Sequence, residues 1–209
     1  MVEVTPLGAA VLGLVMERPM HPYEMFQLLL ERDKDELLKI KPGSLYHAVD
    51  RLATQGLIEE AGTEREGNRP ERTRYTIKPE GYEALHGHVS QLLREVVNEY
   101  PGFRRGIAEA HDLPVEQVVA LLRERQTALR DKVDATEAHL ATSGPERRQF
   151  LLNYEYSLAM LQAELAWLEN IISELDQGDI IWSIFPQIVA EAPHLLTAKT
   201  HTLTFKEKP

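Results

Sequence analysis

The chain reads as a mainly α-helical protein with one β-hairpin in its first half, and three features of the sequence predict it. Leu45, Ala48, Val49 and Leu52 fall at i, i+3, i+4 and i+7, the single apolar stripe of a half-buried helix. Arg72 to Ile77 alternates instead, with Thr73, Tyr75 and Ile77 on one face and Arg72, Arg74 and Thr76 on the other, the period of a strand. From Leu151 to Leu175 apolar residues step by three and four without a break, a seam of more than three heptads.

The elements follow in order. A first helix opens at Thr5 or Pro6 and turns Leu7, Val11, Leu14 and Val15 inward. Pro19 and Pro22 bracket a short turn. A second helix runs from Tyr23 to about Asp33, with Met25, Phe26, Leu29 and Leu30 apolar. Lys34 to Lys41 is a charged connector. The third helix starts at Pro42, where a missing N–H costs nothing, and Gly56 ends it. Leu57 to Ala61 is a short strand that pairs with the alternating one across GTEREGNRPE, a long loop rather than a tight turn. A fourth helix starts near Pro79 with the stripe Tyr82, Leu85, Val89, Leu92 and Val96, and Pro101 and Gly102 terminate it. Phe103 to Asp112 is a linker with room for one helical turn.

The second half is helical. One helix begins near Pro114, with Val119, Leu122, Gln126, Leu129, Val133, Thr136 and Leu140 on its seam. Ser143 to Glu146 has capping-box spacing and starts the next. That helix carries Leu151, Tyr154, Leu158, Leu161, Leu165, Leu168, Ile172 and Leu175, and Gly178 is its C-cap. Such a seam fits a helical hairpin within the chain or a pairing between subunits. A second strip, Met160, Trp167 and Ile171, lies beside it, and one partner helix does not cover both. That strip suits a dimer surface, ordinary core, or a place for a flat hydrophobic effector. Beyond Gly178, Asp179 to Phe185 reads equally as helix or strand, and Thr200 to Lys206 as an edge strand or a tail.

Composition narrows the function. With no cysteine, disulfides, thiolate metal sites and cysteine nucleophiles are excluded. No apolar run reaches the ~18 residues of a membrane span, and MVEVTPLGAA lacks the signature of a signal peptide, so a cytoplasmic protein is expected. The histidines are scattered, and His86 and His88 point to different faces, so neither a metal nor a cofactor is expected. GxSxG, Walker-type and GxGxxG motifs are absent, and nothing argues for an enzyme. The net charge is −10, which by itself speaks against nucleic acid. Local charge matters more, because salt screens charges beyond about 8 Å. Arg65 to Lys78 carries five basic residues against two acidic ones, a small basic patch in an acidic chain.

The third helix keeps Ser44, Tyr46, His47, Asp50 and Arg51 off its apolar stripe. Ser44, Tyr46 and His47 stand where a helix in the major groove reads bases, and Arg51 reaches a phosphate or a guanine edge. The bland alternative is that Tyr46 and His47 are half-buried packing residues. Arg69, after Gly67 and Asn68, tips a loop suited to a narrow minor groove, and Arg72 and Arg74 face phosphate from the strand. Tyr23, opening the second helix, is placed to donate to a backbone phosphate.

LGAAVLGLVMERPMHPYEM, KPGSLYHAVDRLATQGLIEE and EREGNRPERTRYTIKPEG closely resemble the winged helix-turn-helix of PadR-type transcriptional regulators, over about residues 5 to 88. The C-terminal helical pair resembles the virulence-activator-like α domain of the longer members. The fold expected is α+β, mainly α: a winged helix-turn-helix DNA-binding domain with its linking helix over residues 1–100, then a long-helix dimerisation domain over 113–178. Residues 179–209 form an extension without assigned structure. The resemblance implies a homodimeric repressor that binds palindromic double-stranded DNA and is released by a small hydrophobic or phenolic effector. The expected DNA-binding set is Tyr23, Lys41, Ser44, Tyr46, His47, Arg51, Asn68, Arg69, Arg72 and Arg74. The seam from Leu151 to Leu175 is the expected dimer surface, and Met160, Trp167 and Ile171 the expected effector contacts. Many relatives carry Gly where this chain has Pro22, a residue that suits a helix start, so the same fold is expected there. The rival is a helical protein-interaction module whose winged part has lost DNA affinity.

Overall fold

Thr5 sets the first helix in place. Its hydroxyl accepts from the Gly8 N–H at 3.2 Å and caps α1 (Pro6–Glu17). The computed structural model describes residues 3–64, 72–142 and 145–182. The chain divides into two units, Met1–Asn98 and Glu99–Pro209.

In the first unit α2 (Pro22–Glu31), α3 (Pro42–Thr54), a hairpin of β1 (Ile58–Glu64) and β2 (Arg72–Ile77), and α4 (Pro79–Arg94) follow α1. Each of the four helices opens on proline, whose fixed φ fits a first helical residue that needs no N–H partner. Pro22 is therefore where α2 begins. Gly56, at φ 70, closes α3 in a Schellman turn: its N–H reaches Ala53 O at 3.0 Å and the Leu57 N–H reaches Leu52 O at 2.9 Å. Leu52 and Leu57 are both buried beside this turn.

The core gathers Val11, Leu12 and Val15 from α1, Met25 and Leu29 from α2, Leu45, Val49 and Leu52 from α3, Ile58 from β1 and Leu85 from α4. Leu30, expected on the apolar face of α2, is exposed, and Leu12 is buried in addition to the expected α1 stripe. Met20, between the two prolines, is buried and exchanges backbone bonds with Tyr75 at 3.1 and 2.8 Å. The presumed turn thus pairs with the edge of the hairpin. β1 and β2 are antiparallel, Ile58 opposite Ile77 and Glu60 opposite Tyr75, and the register shifts between Glu60 and Thr63. Gly62 takes φ 105 in that bulge, which lets β1 run past the expected Ala61.

The expectation for α4 is corrected. It ends at Arg94, where Glu95 turns extended, well before Pro101. Of its stripe only Leu85 is buried, while Tyr82, Val89, Leu92 and Val96 are exposed. The apolar spacing continues past the point where the winged core offers anything to pack against. Glu17 and Arg32 join α1 to the end of α2 through two hydrogen bonds of 2.5 and 2.9 Å. That bond holds the Glu17 carboxyl below its ordinary range, so the pair persists at neutral pH and is lost as pH falls through the folded pKa. Both side chains are well exposed, so its stabilisation is small.

In the second unit the expected linker holds a full short helix, α5 (Gly102–Ala108), then a 3-10 turn (Ala110–Asp112). α6 (Val115–Ala141) and α7 (Leu152–Gln177) form an antiparallel hairpin. Polar rungs one heptad apart lace it: Arg123 to Asp176 at 2.6 Å, Arg130 to Glu169 at 3.1 Å, and Gln162 to Glu137 at 3.0 Å. That spacing on both helices is the mark of coiled-coil packing. Val118, Val119, Leu122 and Leu129 of α6 meet Leu168, Ile172 and Leu175 of α7. Gly178 ends α7 at φ 73, as its position suggests. The Trp182 indole N–H donates to Leu113 O at 2.9 Å and packs on this core, so the chain after α7 is anchored there. The Ser143 capping box, and the stretch from Ser183 onward, lie outside the described residues.

Leu168, Ile172 and Leu175 are thus closed off by α6 of the same chain, and Leu161 and Leu165 pack against the same cluster. A side chain already buried in this way has no surface left for another subunit. Of the two pairings that the seam suits, the hairpin within the chain is the one seen at this end. Leu151, Tyr154 and Leu158 at the other end are half-buried.

Candidate nucleic-acid interface

α3 turns Leu45, Ala48, Val49 and Leu52 into the core, which leaves Ser44, Tyr46, His47, Asp50, Arg51 and Thr54 exposed. About half of Tyr46 is exposed. Lys41 stands exposed at the N-cap position. Arg51 lies on the flank beside α1 and donates to the Thr5 hydroxyl at 2.5 Å. Thr5 therefore both caps α1 and steadies the arginine.

The opposite flank of α3 faces the start of α2 and the open end of β2. A cleft of about 320 Å³ lies there, lined by His21, Pro22, Tyr23, Tyr46, Asp50, Arg72, Thr73 and Tyr75. The Arg72 guanidinium sits 5.5 Å over the Tyr23 ring, a cation–π contact that holds the charge at the cleft mouth. His21 stacks on Tyr23 with ring centroids 6.2 Å apart. Burial, then the negative charges of Glu60 and Asp50, push the Tyr75 phenol above its ordinary pKa, which keeps it a neutral donor. Three tyrosines, a histidine and an arginine thus line this cleft, donors that suit phosphate oxygens, with the carboxylate of Asp50 beside them. Arg74 is half-buried, already engaged, and does not line the cleft. Asn68 and Arg69 fall outside the described residues.

His21 and Asp50 are members of this surface that the sequence reading left out of the DNA-binding set. His21 had a signal: Glu24 follows it at capping-box spacing. Its Nδ1 accepts from the Glu24 N–H at 3.1 Å, so the neutral ring carries its proton on Nε2. His21→Ala should therefore cost about 1 kcal/mol of winged-unit stability, and His21→Asn, itself a good cap, much less. Urea unfolding of the two variants checks this.

The expected effector residues sit differently. Met160 and Trp167 are exposed on α7, while Ile171 packs against the second core. Trp167 meets Phe103 edge-on at 6.0 Å, and the Arg125 guanidinium covers the Phe103 ring at 3.7 Å while paired to Glu164 at 2.5 Å. Glu109, His111 and Asp112 bring ligand atoms within 4.8 Å of one another on an exposed turn, an arrangement common without any metal. Among the described residues no helix is long and apolar enough to cross a membrane.

An exposed helix behind a helical turn, followed by a hairpin that brings arginine alongside it, is the arrangement of a winged helix-turn-helix. The model of the "Transcriptional regulator PadR-like family" matches residues 11–87, from within α1 to within α4. This match spans less than half of the chain, and over it the chain is similar to that family of transcriptional regulators. No protein of curated function matches the chain by sequence. Solved structures match it by fold. PadR of Bacillus subtilis in complex with operator DNA superposes with a TM-score of 0.68 at 18% identity, over 82% of this chain and 99% of that one. The same protein in complex with p-coumaric acid gives 0.64 at 18%, over 81% and 98%. The Vibrio cholerae virulence activator AphA gives 0.50 at 19%, over 82% and 98%. At these identities the likeness is one of fold: mostly helical, with a small two-stranded sheet.

Proposed function

We propose that the chain is a homodimeric repressor whose two α3 helices enter successive major grooves of a palindromic operator, about 34 Å apart. The observation that carries this is the cleft joining Tyr23, Tyr46 and Arg72 to the exposed face of α3. Phosphate held there fixes the depth and register of the helix, and Ser44 and His47 then reach base edges. Lys41 at the start of α3 and Arg51 on its flank add charge, and Asn68 and Arg69, outside the described residues, are further contacts we propose. Residues 1–100 are the DNA-binding domain and 113–178 the dimerisation domain.

The dimer surface we infer is the outer strip of α7. Leu152, Tyr156, Met160 and Trp167 recur at helical spacing, and each is at least two-fifths exposed. α6 occupies the opposite face of α7, so a second subunit covers this one. The half-buried Leu151, Tyr154 and Leu158 adjoin it. Since PadR of Bacillus subtilis was solved with p-coumaric acid, a planar phenolic acid is the effector class proposed, contacting Met160 and Trp167 and loosening the hold on DNA. Ile171 supports that surface from the core side.

Fluorescence anisotropy on a panel of fragments from upstream of the chain's own and neighbouring genes, with sedimentation of the complex, tests the reading. Two chains per duplex, and release on adding p-coumaric acid with quenching of tryptophan emission, are expected. One chain per duplex, or affinity equal for every fragment, contradicts it.

A further inference from the structure

We propose that Asp50 reads a cytosine in each half-site, its carboxylate accepting a hydrogen bond from the base's N4 amino group. The inference rests on the reading that α3 enters the major groove. The exposed face of α3 has two flanks: on one Arg51 is tied to Thr5, and on the other lies the cleft of Tyr23, Tyr46 and Arg72. Between them runs the strip Gly43, His47, Asp50 and Thr54, all exposed at helical spacing, with Asp50 at the rim of the cleft. A Cβ added at Gly43 would meet nothing within 4 Å, so the strip is open at its leading end.

Asp50 is the one acid on this strip, and its carboxylate, though its charge is felt by Tyr75, has no direct partner among the described residues. The Thr54 hydroxyl donates at 2.8 Å to the backbone carbonyl of Asp50, not to its carboxylate. Among the described residues the carboxylate makes no ion pair and no hydrogen bond. A lone negative charge on a face turned to DNA is repelled by phosphate and needs a donor to offset this. In the major groove guanine presents acceptors and thymine an acceptor and a methyl group. Adenine couples its donor to an acceptor at N7, which faces a carboxylate badly. Cytosine offers an amino donor alone, and carboxylates accept from it.

Selection of bound duplexes from a randomised pool, using the full chain as wild type, Asp50→Ala and Asp50→Asn, tests this. Asp50 is exposed, so the variants should melt like the wild type by circular dichroism. Wild type should favour cytosine about tenfold at one position of each half-site. Asp50→Ala should flatten that position alone, and Asp50→Asn should move it to adenine, whose N6 and N7 match an amide. If Asp50→Ala keeps every base preference and merely binds more tightly everywhere, the carboxylate reads nothing and the inference falls while the groove reading stands. If the wild type enriches no sequence at all, both fall together.

Discussion

Gly81→Ala should unfold the winged unit at a temperature or denaturant concentration where the wild type is intact. A Cβ at that position would lie 2.1 Å from Leu57 O, 3.1 Å from Leu57 C and 3.0 Å from the Ile77 side chain. The first two atoms are backbone, and Leu57 O already accepts from the Lys78 N–H at 3.0 Å. It cannot step aside without breaking the bond that joins the α3–β1 corner to the start of α4. Overpacking a core usually costs about 1–3 kcal/mol, and a clash with fixed backbone falls at or above the top of that range. A cost on the order of 3 kcal/mol is a large share of the stability of a unit this size. Gly13→Ala is the control: nothing lies within 4 Å of its added Cβ, and the helix should gain about 0.5–1 kcal/mol. Urea titrations followed by far-UV circular dichroism should show the first transition moving down in Gly81→Ala while the helical hairpin of the second unit persists. Equal stability of the two variants would mean that α4 does not pack against the α3–β1 corner as described.

Arg72→Glu should remove DNA binding and leave the fold alone. Arg72 is half-buried at the cleft mouth, and its cation–π contact with Tyr23 contributes about 0.5–1 kcal/mol, a loss the unit can bear. The charge change acts twice in a dimer, once at each cleft. Each cleft loses a phosphate partner and gains a repulsion, so affinity should fall on the order of 100-fold or more. Arg72→Ala should be milder and should lower the salt slope by about one contact per subunit. Anisotropy titrations over a salt series separate the two effects. Wild-type affinity in Arg72→Glu would mean that the cleft does not hold phosphate, and no affinity in either protein would favour the interaction-module rival.

Much of this was legible from the sequence because the signals were local. Proline at the first position of four helices, Gly56 after Thr54, and the stripe of α3 each act within one turn of backbone. Tyr46 and His47 proved exposed because the neighbouring Leu45 and Val49 satisfy the core demand of that helix. What failed was non-local. The Met20–Tyr75 bridge depends on a hairpin far along the chain, and two prolines around Met20 disguised it as a turn. The stripe of α4 has the right period, yet period alone does not say where the packing surface ends. The seam of α7 announced a partner helix without naming it, and the Arg123–Asp176, Arg130–Glu169 and Glu137–Gln162 rungs identify α6 of the same chain. The sequence places Asp50 on the outward face of α3, but that its carboxylate has no direct partner among the described residues shows only in the fold.

The central claim is that the exposed face of α3, set by the Tyr23–Tyr46–Arg72 cleft, reads DNA as one of a symmetric pair. The most direct measurement is capture of genomic DNA fragments by the purified full chain, followed by hydroxyl-radical footprinting of the enriched sites with wild type and Arg72→Ala. The account predicts an inverted repeat whose half-sites are centred about one helical turn, or a whole number of turns, apart. It also predicts protected phosphates flanking each half-site that fade in Arg72→Ala. Enriched sites without two-fold symmetry, or a footprint identical in the variant, would contradict it.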